Sequence, residues 1–154
     1  MIPLPDPPLR SGDLVLRPWR GGDAPALVAA WADPEIQRWT GVPDARDLAA
    51  AERWIAGADV RRERWSSLDL VVEREAEVVG EVGLSSFDRD AGTVEIGWWT
   101  APAHRGHGVA SVAAGLVVGW AGEELGFASV IARCDADNPA SVVVARRAGA
   151  MVLV

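Results

Sequence analysis

The first apolar residues of the chain alternate in a pattern that is typical of a β-strand. In the stretch DLVLRPW, Leu14 and Leu16 are separated by Val15 and followed by Arg17. A period of two places alternate side chains on opposite faces of a sheet. We therefore expect a first strand here, directly after a proline-rich stretch that covers residues 1 to 12.

Two short helices are predicted next, each at a place where proline follows aspartate closely. Asp23 stands two residues before Pro25, and Asp33 directly precedes Pro34. Aspartate is a favourable N-cap, and proline suits the first turn, where a helix leaves backbone N–H groups unpaired. The pattern thus indicates two helices with a bend between them.

From Asp44 to about Arg64 the apolar positions recur at steps of three and four residues. Leu48, Ala51 and Ile55 follow this spacing, and charged residues occupy the rest of the helical wheel. Such spacing is typical of an amphipathic helix. We therefore expect one helix that covers a core.

A period of two returns in two neighbouring runs, which the charged link EREAE joins. The runs are residues 68–72 and 78–84, and a hairpin is the simplest connection between them. A further strand, TVEIGWW, starts at Thr93. The rest of the chain predicts a helix, a strand, a helix and a strand, at residues 108–124, 129–135, 138–149 and 150–154.

Length and composition fit a single globular domain. The chain has 154 residues, of which 49% are hydrophobic, enough for one core of its own. We assign residues 13–154 to this domain and residues 1–12 to a Pro-rich tail. No apolar run reaches the ~20 residues that span a bilayer, and the start MIPLPDPPLR lacks the apolar centre of a signal peptide. We therefore expect no membrane partner and a cytoplasmic location.

Charge and the rarity of cysteine and histidine exclude several classes of site. The formal net charge is −7, and the 15 basic residues, all arginine, form no basic stripe, which argues against nucleic acid as a partner. Cys134 is the only cysteine, so an internal disulfide and a multi-cysteine zinc site are excluded. His104 and His107 stand three residues apart with no carboxylate between them, so we expect no metal site.

The stretch HRGHGVAS, which ends at Ser111, lies between a strand-like run and a helix-like run. A helix that begins after such a turn points backbone N–H groups outward at the positive end of its dipole. Gly106 and Gly108 carry no Cβ that would block a phosphate, and Arg105 supplies a charged donor. The stretch predicts either a phosphate-binding turn or a turn that only joins two elements.

These segments, in this order, resemble the GCN5-related N-acetyltransferase family, and most closely its branch of ribosomal-protein N-terminal acetyltransferases. RGHGVA matches the family signature Gln/Arg-x-x-Gly-x-Gly/Ala at Arg105, Gly108 and Ala110, and EIGWW, TAP and NPAS flank it in the family's order. In the front half, LVLRPW, GDA and WADPEIQRW look like that branch's first strand and acceptor-side helices. The resemblance covers residues 13 to 150.

The resemblance implies a fold and a reaction. The fold is the α/β (α+β) acyl-CoA N-acyltransferase fold, with a mixed, mostly antiparallel sheet that is splayed between its fourth and fifth strands to admit acetyl-CoA. The reaction is direct transfer of the acetyl group to a primary amine, either a protein N-terminal α-amine or a small-molecule amine. Because no covalent enzyme intermediate is needed, Cys134 is expected to be dispensable.

The last residues of the sequence keep an alternative open. Members of the resembled family usually continue beyond the stretch AMVLV into a longer strand and a hairpin, whereas this sequence stops at Val154. The implied C-terminal strands are therefore shortened. The alternative to an active enzyme is a non-catalytic or truncated acyl-CoA-binding module. A homodimer is a further expectation, since a second copy can cover an exposed sheet edge.

In the resembled family the turn holds the pyrophosphate of acetyl-CoA, the preceding strand binds the pantetheine arm, and an asparagine contacts the cofactor from the opposite wall. The implied cofactor-binding residues are Trp98, Trp99, Thr100, Arg105, Gly106, His107, Gly108, Val109, Ala110, Ser111 and Asn138. Trp39 and Trp99 are the candidates for the acceptor side. Asn138 precedes Pro139 and also suits an N-cap, and the two roles are compatible.

The resemblance implies two catalytic residues, Glu95 and Ser141. In this family the position of Glu95 often holds the base or the residue that orients an attacking water, although a glutamate on a solvated sheet face is the plainer interpretation. Many relatives carry a tyrosine seven residues after the asparagine, and this tyrosine protonates the leaving thiolate. This chain has Ala145 at that position and no tyrosine. Ser141 is then the remaining acid, or no acid is used, since a thiolate of pKa ~8.5 leaves with little help.

Overall fold

The computed structural model describes the whole chain, residues 1–154, as one sheet flanked by helices. The strands are β1 (Arg10–Ser11), β2 (Leu14–Pro18), β3 (Ser67–Arg74), β4 (Glu77–Asp88), β5 (Thr93–Thr100), β6 (Ser129–Arg133) and β7 (Met151–Leu153). The α-helices are α1 (Ala24–Ala32), α2 (Pro34–Trp39), α3 (Leu48–Ala56), α4 (Ala58–Glu63), α5 (Val109–Glu123) and α6 (Pro139–Ala148). Short 3-10 helices lie at Gly21–Asp23 and Pro102–His104.

The strands lie in chain order across the sheet. Pairing is antiparallel from β1 to β5 and parallel from β5 to β7, so the expected mixed, mostly antiparallel sheet is confirmed. β5 and β6 pair only over Thr93 to Glu95 and Ser129 to Ile131. Beyond these residues the two strands part. This is the splay expected between the fourth and fifth predicted strands. Those strands are β5 and β6 in the structure, because the short β1 was not predicted.

The sheet buries apolar side chains on both faces. On one face α5 and α6 cover the central strands, and Leu84, Ile96 and Val117 belong to this core. On the other face the first helices pack on the sheet through residues such as Leu27 and Ile55. Because successive strand residues point to opposite faces, a polar residue next to a core residue on β4 or β5 faces the side of the first helices.

The prediction of one helix over residues 44 to 64 is wrong, because two helices occupy this segment. Asp47 caps α3 by accepting a hydrogen bond at 2.9 Å from the N–H three residues later, so the helix begins directly after it. Gly57 separates α3 from α4. Arg61 Nη1 then donates to the carbonyl of Trp54 at 2.7 Å. These side chains satisfy backbone groups that one continuous helix would have paired internally.

The Pro-rich segment before residue 13 packs against the rest of the molecule. Ile2 is fully buried in the core under α5. Its N–H donates to the Arg62 carbonyl at 3.0 Å, and Arg62 Nε donates to the Ile2 carbonyl at 3.0 Å. β1 then extends the sheet beside β2. Residues 1–12, distinct in composition, thus form part of the same structural unit.

The guanidinium of Arg17 is buried where the chain leaves the sheet for the first helices. Only 7% of this residue is exposed. Nη1 and Nη2 donate to the two carboxylate oxygens of Asp23 at 2.8 and 3.0 Å, and Nε donates to Glu73 on β3 at 2.7 Å. These bonds fix the start of α1 against β2 and β3, which places α1 and α2 beside the sheet.

Hydrogen bonding keeps this buried pair ionised. Burial opposes the charge of Asp23, but hydrogen bonds from Arg17 and from the N–H of Arg20 outweigh it, so the pKa of Asp23 lies below its ordinary value. The hydrogen bond to Asp23, working against burial, raises the pKa of Arg17. The folded state therefore favours the charged form of both groups.

Replacing Arg17 with methionine keeps the apolar stem but leaves Asp23 and Glu73 without a counter-charge. We expect a loss of about 3 kcal/mol in the free energy of unfolding at pH 7, because a buried carboxylate loses its partner. Urea unfolding measures this loss. Since folding lowers the pKa of Asp23, its stabilising contribution is present above about pH 4 and disappears at lower pH. The difference between variant and wild type therefore shrinks in acid.

Arg74→Met is the control for this measurement. Arg74 pairs with Asp13 at the surface at 3.1 Å, and such pairs contribute at most about 1 kcal/mol. Equal losses for the two variants would contradict the structural role assigned to Arg17.

Candidate functional site

The glycine turn before α5 presents backbone donors to open space. Gly106 and Gly108 have φ values of +79° and +76°, a left-handed conformation that glycine adopts without strain. A Cβ atom at either position would meet no atom within 4 Å. α5 starts directly after Gly108 and is 15 residues long, and the N–H groups of its first turn lack intrahelical acceptors. The turn therefore presents the free backbone donors and open space that an anion at a helix N-terminus requires.

Arg105 attaches this turn to the junction of α1 and α2. Its Nη2 donates to Asp33 Oδ2 at 2.6 Å, and its Nε donates to the carbonyl of Thr100 at 3.1 Å. Asp33 also caps α2 by accepting from the N–H of Ile36 at 3.0 Å. The hydrogen bond from Arg105 lowers the pKa of Asp33 against the opposing effect of burial. Arg105 thus holds the turn in place, which leaves its Nη1 for an anion.

A cleft of about 530 Å³ runs along the turn, and we name it the glycine-loop cleft. One wall is the turn with the first residues of α5, and the other wall is α6. It contains these predicted cofactor-binding residues: Trp98, Trp99, Thr100, Arg105, Gly106, Gly108, Val109, Ala110, Ser111 and Asn138. His107 is absent from the lining, and its side chain is exposed. The imidazole of His107 therefore takes no part in forming this cleft.

A second space of about 740 Å³ lies on the other side of the β5 end, and we name it the inner cavity. Polar residues of β3 and β4 line it, among them Ser67, Asp69 and Glu81. Residues 133–135, at the end of β6, line the opposite side. With Asp135 the cavity has three carboxylates, and Arg38 and Arg133 are its basic residues.

The two spaces meet where β5 and β6 have parted. They share Trp39, Thr40, Trp98, Trp99, Asn138 and Ser141. These residues come from the end of α2, the end of β5 and the start of α6. A molecule that lies along the glycine turn can therefore meet a second molecule that occupies the inner cavity.

Asn138 and Ser141 hydrogen-bond to each other at this junction. Asn138 Oδ1 accepts from the N–H of Ser141 at 3.3 Å, so the predicted N-cap is present. Ser141 Oγ donates to the Asn138 carbonyl at 2.8 Å, which leaves its oxygen lone pairs as acceptors. Position 145, where many family members carry tyrosine, holds an alanine that is fully buried. Because an alanine side chain has no acidic proton, that position offers no proton donor.

The structure does not bring Glu95 into either space. Its neighbours Val94 and Ile96 are buried in the core, so Glu95 faces the other side of the sheet, as the alternation indicates. There its carboxylate accepts a hydrogen bond from Arg133 Nε. This bond, aided by one from Ser86 and opposed by burial, lowers the pKa of Glu95. The position that sequence resemblance favours for a base thus has an ion-paired carboxylate of weakened basicity.

Glu81 is the most perturbed of three carboxyl groups in the inner cavity that the sequence patterns missed, the others being Asp69 and Asp135. Burial, reinforced by the negative charge of Asp69, raises the pKa of Glu81 to about 8. Its Oε2 accepts a hydrogen bond from Trp19 Nε1 at 2.7 Å. A signal did exist, since Glu81 is the single charged residue within the apolar run VVGEVGL. Its partner Trp19, distant in sequence, could be found only from the fold.

The residues capable of holding metals are dispersed. No group of three or more His, Cys, Asp or Glu side chains is placed to hold a metal ion. His104 Nε2 lies 3.4 Å from Glu77 Oε1, while His107 is exposed. Among the helices, none combines the length and apolar character that crossing a membrane requires.

Solved structures share this fold. A protein from Vibrio cholerae to which a ribosomal-protein-serine acetyltransferase function has been assigned superposes with a TM-score of 0.80 at 21% identity. The match covers 95% of this chain and 84% of that one. A ribosomal L7/L12 α-N-protein acetyltransferase, RimL, in complex with coenzyme A, superposes with a TM-score of 0.79 at 20% identity, over 90% and 80% of the chains. The microcin C7 self-immunity acetyltransferase MccE, in complex with acetyl-CoA and AMP, gives 0.77 at 18% identity, over 90% and 79%.

Sequence comparison identifies relatives and a family. An uncharacterized N-acetyltransferase, p20, from Bacillus licheniformis is 27% identical over 131 residues, which is 84% of this chain and 74% of that protein. Another, YoaA from Bacillus subtilis, is 26% identical over 137 residues, 88% and 77% of the two chains. The family model of the acetyltransferase (GNAT) domain matches residues 13–151. The resemblance seen in the motifs is thereby confirmed, and the chain belongs to the GNAT acetyltransferases, enzymes that transfer an acetyl group from acetyl-CoA to an amine.

Proposed function

We propose that the glycine-loop cleft binds acetyl-CoA and that the inner cavity binds the primary amine that receives the acetyl group. The observation that carries this proposal is the meeting of the two spaces at Trp98, Trp99, Asn138 and Ser141. The amine attacks the thioester there, with no covalent enzyme intermediate. The acceptor is a protein N-terminal α-amine or a small-molecule amine. A cytoplasmic location is part of the proposal, since acetyl-CoA is available there.

Both the shape of the glycine-loop cleft and the main-chain groups that line it suit coenzyme A. The N–H groups from His107 to Ser111 suit a pyrophosphate, and Cβ atoms at Gly106 and Gly108 would occupy the space through which it approaches. β5 has no partner strand beyond Glu95 on the β6 side. Alternate backbone groups there are free for the amides of a pantetheine arm. Acetyl-CoA supplies the activated thioester, and the chain supplies its position.

Transition-state stabilisation is assigned to the junction of the two spaces. A main-chain N–H at the end of β5 polarises the thioester carbonyl, and one such donor contributes ~3 kcal/mol where negative charge develops. Ser141 is the candidate acid for the leaving thiolate. Its hydroxyl must leave the Asn138 carbonyl to donate. A thiolate of pKa ~8.5 departs without a strong acid, so Ser141 has a modest role.

The charge of the inner cavity favours a cationic acceptor. Asp69, Glu81 and Asp135 line it together with Arg38 and Arg133, so acidic groups outnumber basic ones once Glu81 is ionised, above about pH 8. Opposite charge stabilises an ammonium ion. Deprotonating an α-amine of pKa ~8 at pH 7 costs about 1.4 kcal/mol, whereas a lysine-like amine of pKa ~10.4 costs nearly 5. We therefore favour an α-amine of a peptide, or a small amine of similar basicity, over a lysine side chain.

Gly108→Val should abolish binding of acetyl-CoA. The side chain enters the space along the turn and strains a backbone with φ near +76°, so we expect affinity to fall at least ~100-fold in calorimetric titration. His107→Ala should change affinity by less than about threefold, because a main-chain N–H is used. Gly126→Val is the control, since Gly126 has φ +77° and open surroundings at the other end of α5. Equal losses at positions 107 and 108, or at 108 and 126, would exclude the backbone cradle.

Cys134→Ala should retain acetyl transfer to within about threefold, because direct attack by the amine requires no enzyme thiol. Cys134 is buried but lines the inner cavity, so it is where an acetyl-enzyme would form if transfer were covalent. Steady-state kinetics and mass spectrometry after incubation with acetyl-CoA alone make the test. A stable acetyl adduct on Cys134, together with loss of turnover in the variant, would overturn direct transfer.

We also propose that a second copy pairs with β7, the last strand of the sheet. Met151 and Leu153 on this strand are about half exposed, and an unpaired strand edge readily pairs with another. Sedimentation is expected to show a dimer for the wild type and a monomer for Leu153→Lys, since charge on an edge strand opposes pairing. A monomeric wild type at high concentration contradicts this contact.

A further inference from the structure

Glu81 sits on the floor of the inner cavity between two strands. It lies opposite Val71 on β3 and opposite Trp99 on β5. Its side chain faces the side of the first helices, where the Trp19 indole holds Oε2 at 2.7 Å. Protein atoms enclose the carboxyl group, yet the residue keeps some exposure, because it opens onto the cavity. A buried carboxyl group is thus reachable from the space assigned to the acceptor.

Two glycines without side chains lie on the surface between Glu81 and the junction of the two spaces. Gly83 on β4 and Gly97 on β5 are paired opposite each other, and both line the inner cavity. A Cβ at Gly97 would meet nothing within 4 Å, and one at Gly83 would lie 3.3 Å from Asp69 Oδ1. Asp69 Oδ1 therefore borders the same space. A small group that enters from the junction meets two carboxyl groups over a glycine floor.

The charged and polar groups that face Glu81 come from several elements. Asp69 on β3 raises its pKa, while the indoles of Trp19 and Trp99 and the charge of Arg61 oppose that effect. Arg61 is largely engaged, since Nε donates to Asp69 Oδ2 at 3.2 Å and Nη1 to a backbone carbonyl. Its Nη2 is buried without a hydrogen-bond partner. With these opposing effects, and with burial as the largest, Glu81 is half ionised at about pH 8.

The basicity of Glu81 matches that of an α-amine. Its pKa of about 8 is close to the ~8 of an α-amine, so transfer of a proton between them is nearly level. An ordinary carboxylate is more than three pKa units less basic than the amine, so proton transfer to it is more than ~1000-fold unfavourable. Glu95, whose pKa is lowered by Arg133, is less suitable still.

We propose that Asp69 and Glu81 form the binding site for the acceptor ammonium and that the Glu81 carboxylate takes its proton. This inference rests on the proposed function, since it names the base and the amine class for the same cavity. Glu81 is the catalytic residue of the pair. Asp69 binds the ammonium through Oδ1 and keeps Glu81 basic, since its Oδ2 is occupied by Ser67 Oγ and Arg61 Nε.

The proton and electron balance of the step is complete. The ammonium gives one proton to Glu81, and the lone pair so released forms the C–N bond to the acetyl carbon. The C–S bond of the thioester then breaks, and its electron pair leaves with the thiolate. The nitrogen loses a second proton, which the thiolate takes to give free coenzyme A. Glu81 returns its proton to water through the cavity.

The acidic surroundings also restrict the acceptor. A free amino acid brings a carboxylate next to its amine, and Asp69, whose Oδ1 borders the glycine floor beside Glu81, repels it there, although Arg38 and Arg133 also line the cavity. A peptide amide presents the same α-amine without that charge. We therefore favour peptide N-termini, and small amines that carry no carboxylate next to the amine, over free amino acids.

The test compares pH profiles of kcat/KM for a short peptide with a free α-amine and an amidated C-terminus. Because the productive state has Glu81 ionised and the amine protonated, wild-type kcat/KM is expected to pass through a maximum near pH 8. Glu81→Gln should lose at least ~100-fold near this pH and rise steadily with pH instead, following the free amine alone. Glu75→Gln, in the exposed β3–β4 turn, is the matched control and should keep the maximum.

Asp69→Asn supplies a second variant that keeps the Glu81 carboxylate. Removing the negative charge of Asp69 lowers the pKa of Glu81, so the rising limb of the profile should move to lower pH while KM for the peptide rises. A profile identical to wild type, or a Glu81→Gln enzyme that retains both rate and maximum, overturns the assignment of the base.

A measurement without turnover separates this inference from the proposed function. In NMR spectra the Trp19 indole N–H should titrate near pH 8 in the wild type and not in Glu81→Gln, because Glu81 accepts its hydrogen bond. Acetyl-CoA affinity should be unchanged in Glu81→Gln. If the wild type binds acetyl-CoA but acetylates no amine in a panel, the proposed function fails, and this inference fails with it. If the wild type acetylates but the indole does not titrate, this inference alone fails.

Discussion

Three residue pairs hold β5 to β6, and beyond Glu95 and Ile131 the two strands separate. β6 stays attached to β7 instead, and the N–H of Cys134 donates to the Leu153 carbonyl at 2.8 Å. Parting leaves backbone groups of β5 without ladder partners, and such groups need water or a bound molecule. The gap thus leaves donors and acceptors that a bound molecule can use, and both the glycine-loop cleft and the inner cavity open from it.

The two spaces differ in charge, and this difference supports the occupants that we propose for them. Along the glycine turn the field is positive, since it comes from N–H groups at the start of α5. In the inner cavity Asp69, Asp135 and, above about pH 8, Glu81 outnumber Arg38 and Arg133, which favours a cation. In the proposed arrangement an anionic donor and a cationic acceptor lie on opposite sides of one junction. The Arg17 pair and the Arg105–Asp33 bond support this arrangement, because they fix the first helices and the turn against the sheet.

Two glutamates on adjacent strands show how the fold sets basicity. Glu95 on β5 meets an arginine and becomes a weaker base. Glu81 on β4 is buried, with the negative charge of Asp69 nearby, and becomes a stronger base although hydrogen bonds from Trp19 and Trp99 oppose the shift. Both face the same side of the sheet, and both belong to alternating strand patterns. Only the partners that distant segments bring to them separate a structural carboxylate from a candidate base.

Local patterns determined most elements, because strand alternation, the Asp33 cap and the glycine turn act within a few residues. The family signature at Arg105, Gly108 and Ala110, together with the flanking segments in the family's order, likewise indicated the cofactor and the fold. The break at Gly57 escaped prediction because Asp47 and Arg61 satisfy the helix ends through side chains that periodicity does not register. Only the tertiary structure decided the electrostatic environment of the carboxyl groups, and with it their basicity. The pKa of a carboxyl group depends on burial and on charges brought close by folding, and no spacing along the chain records them.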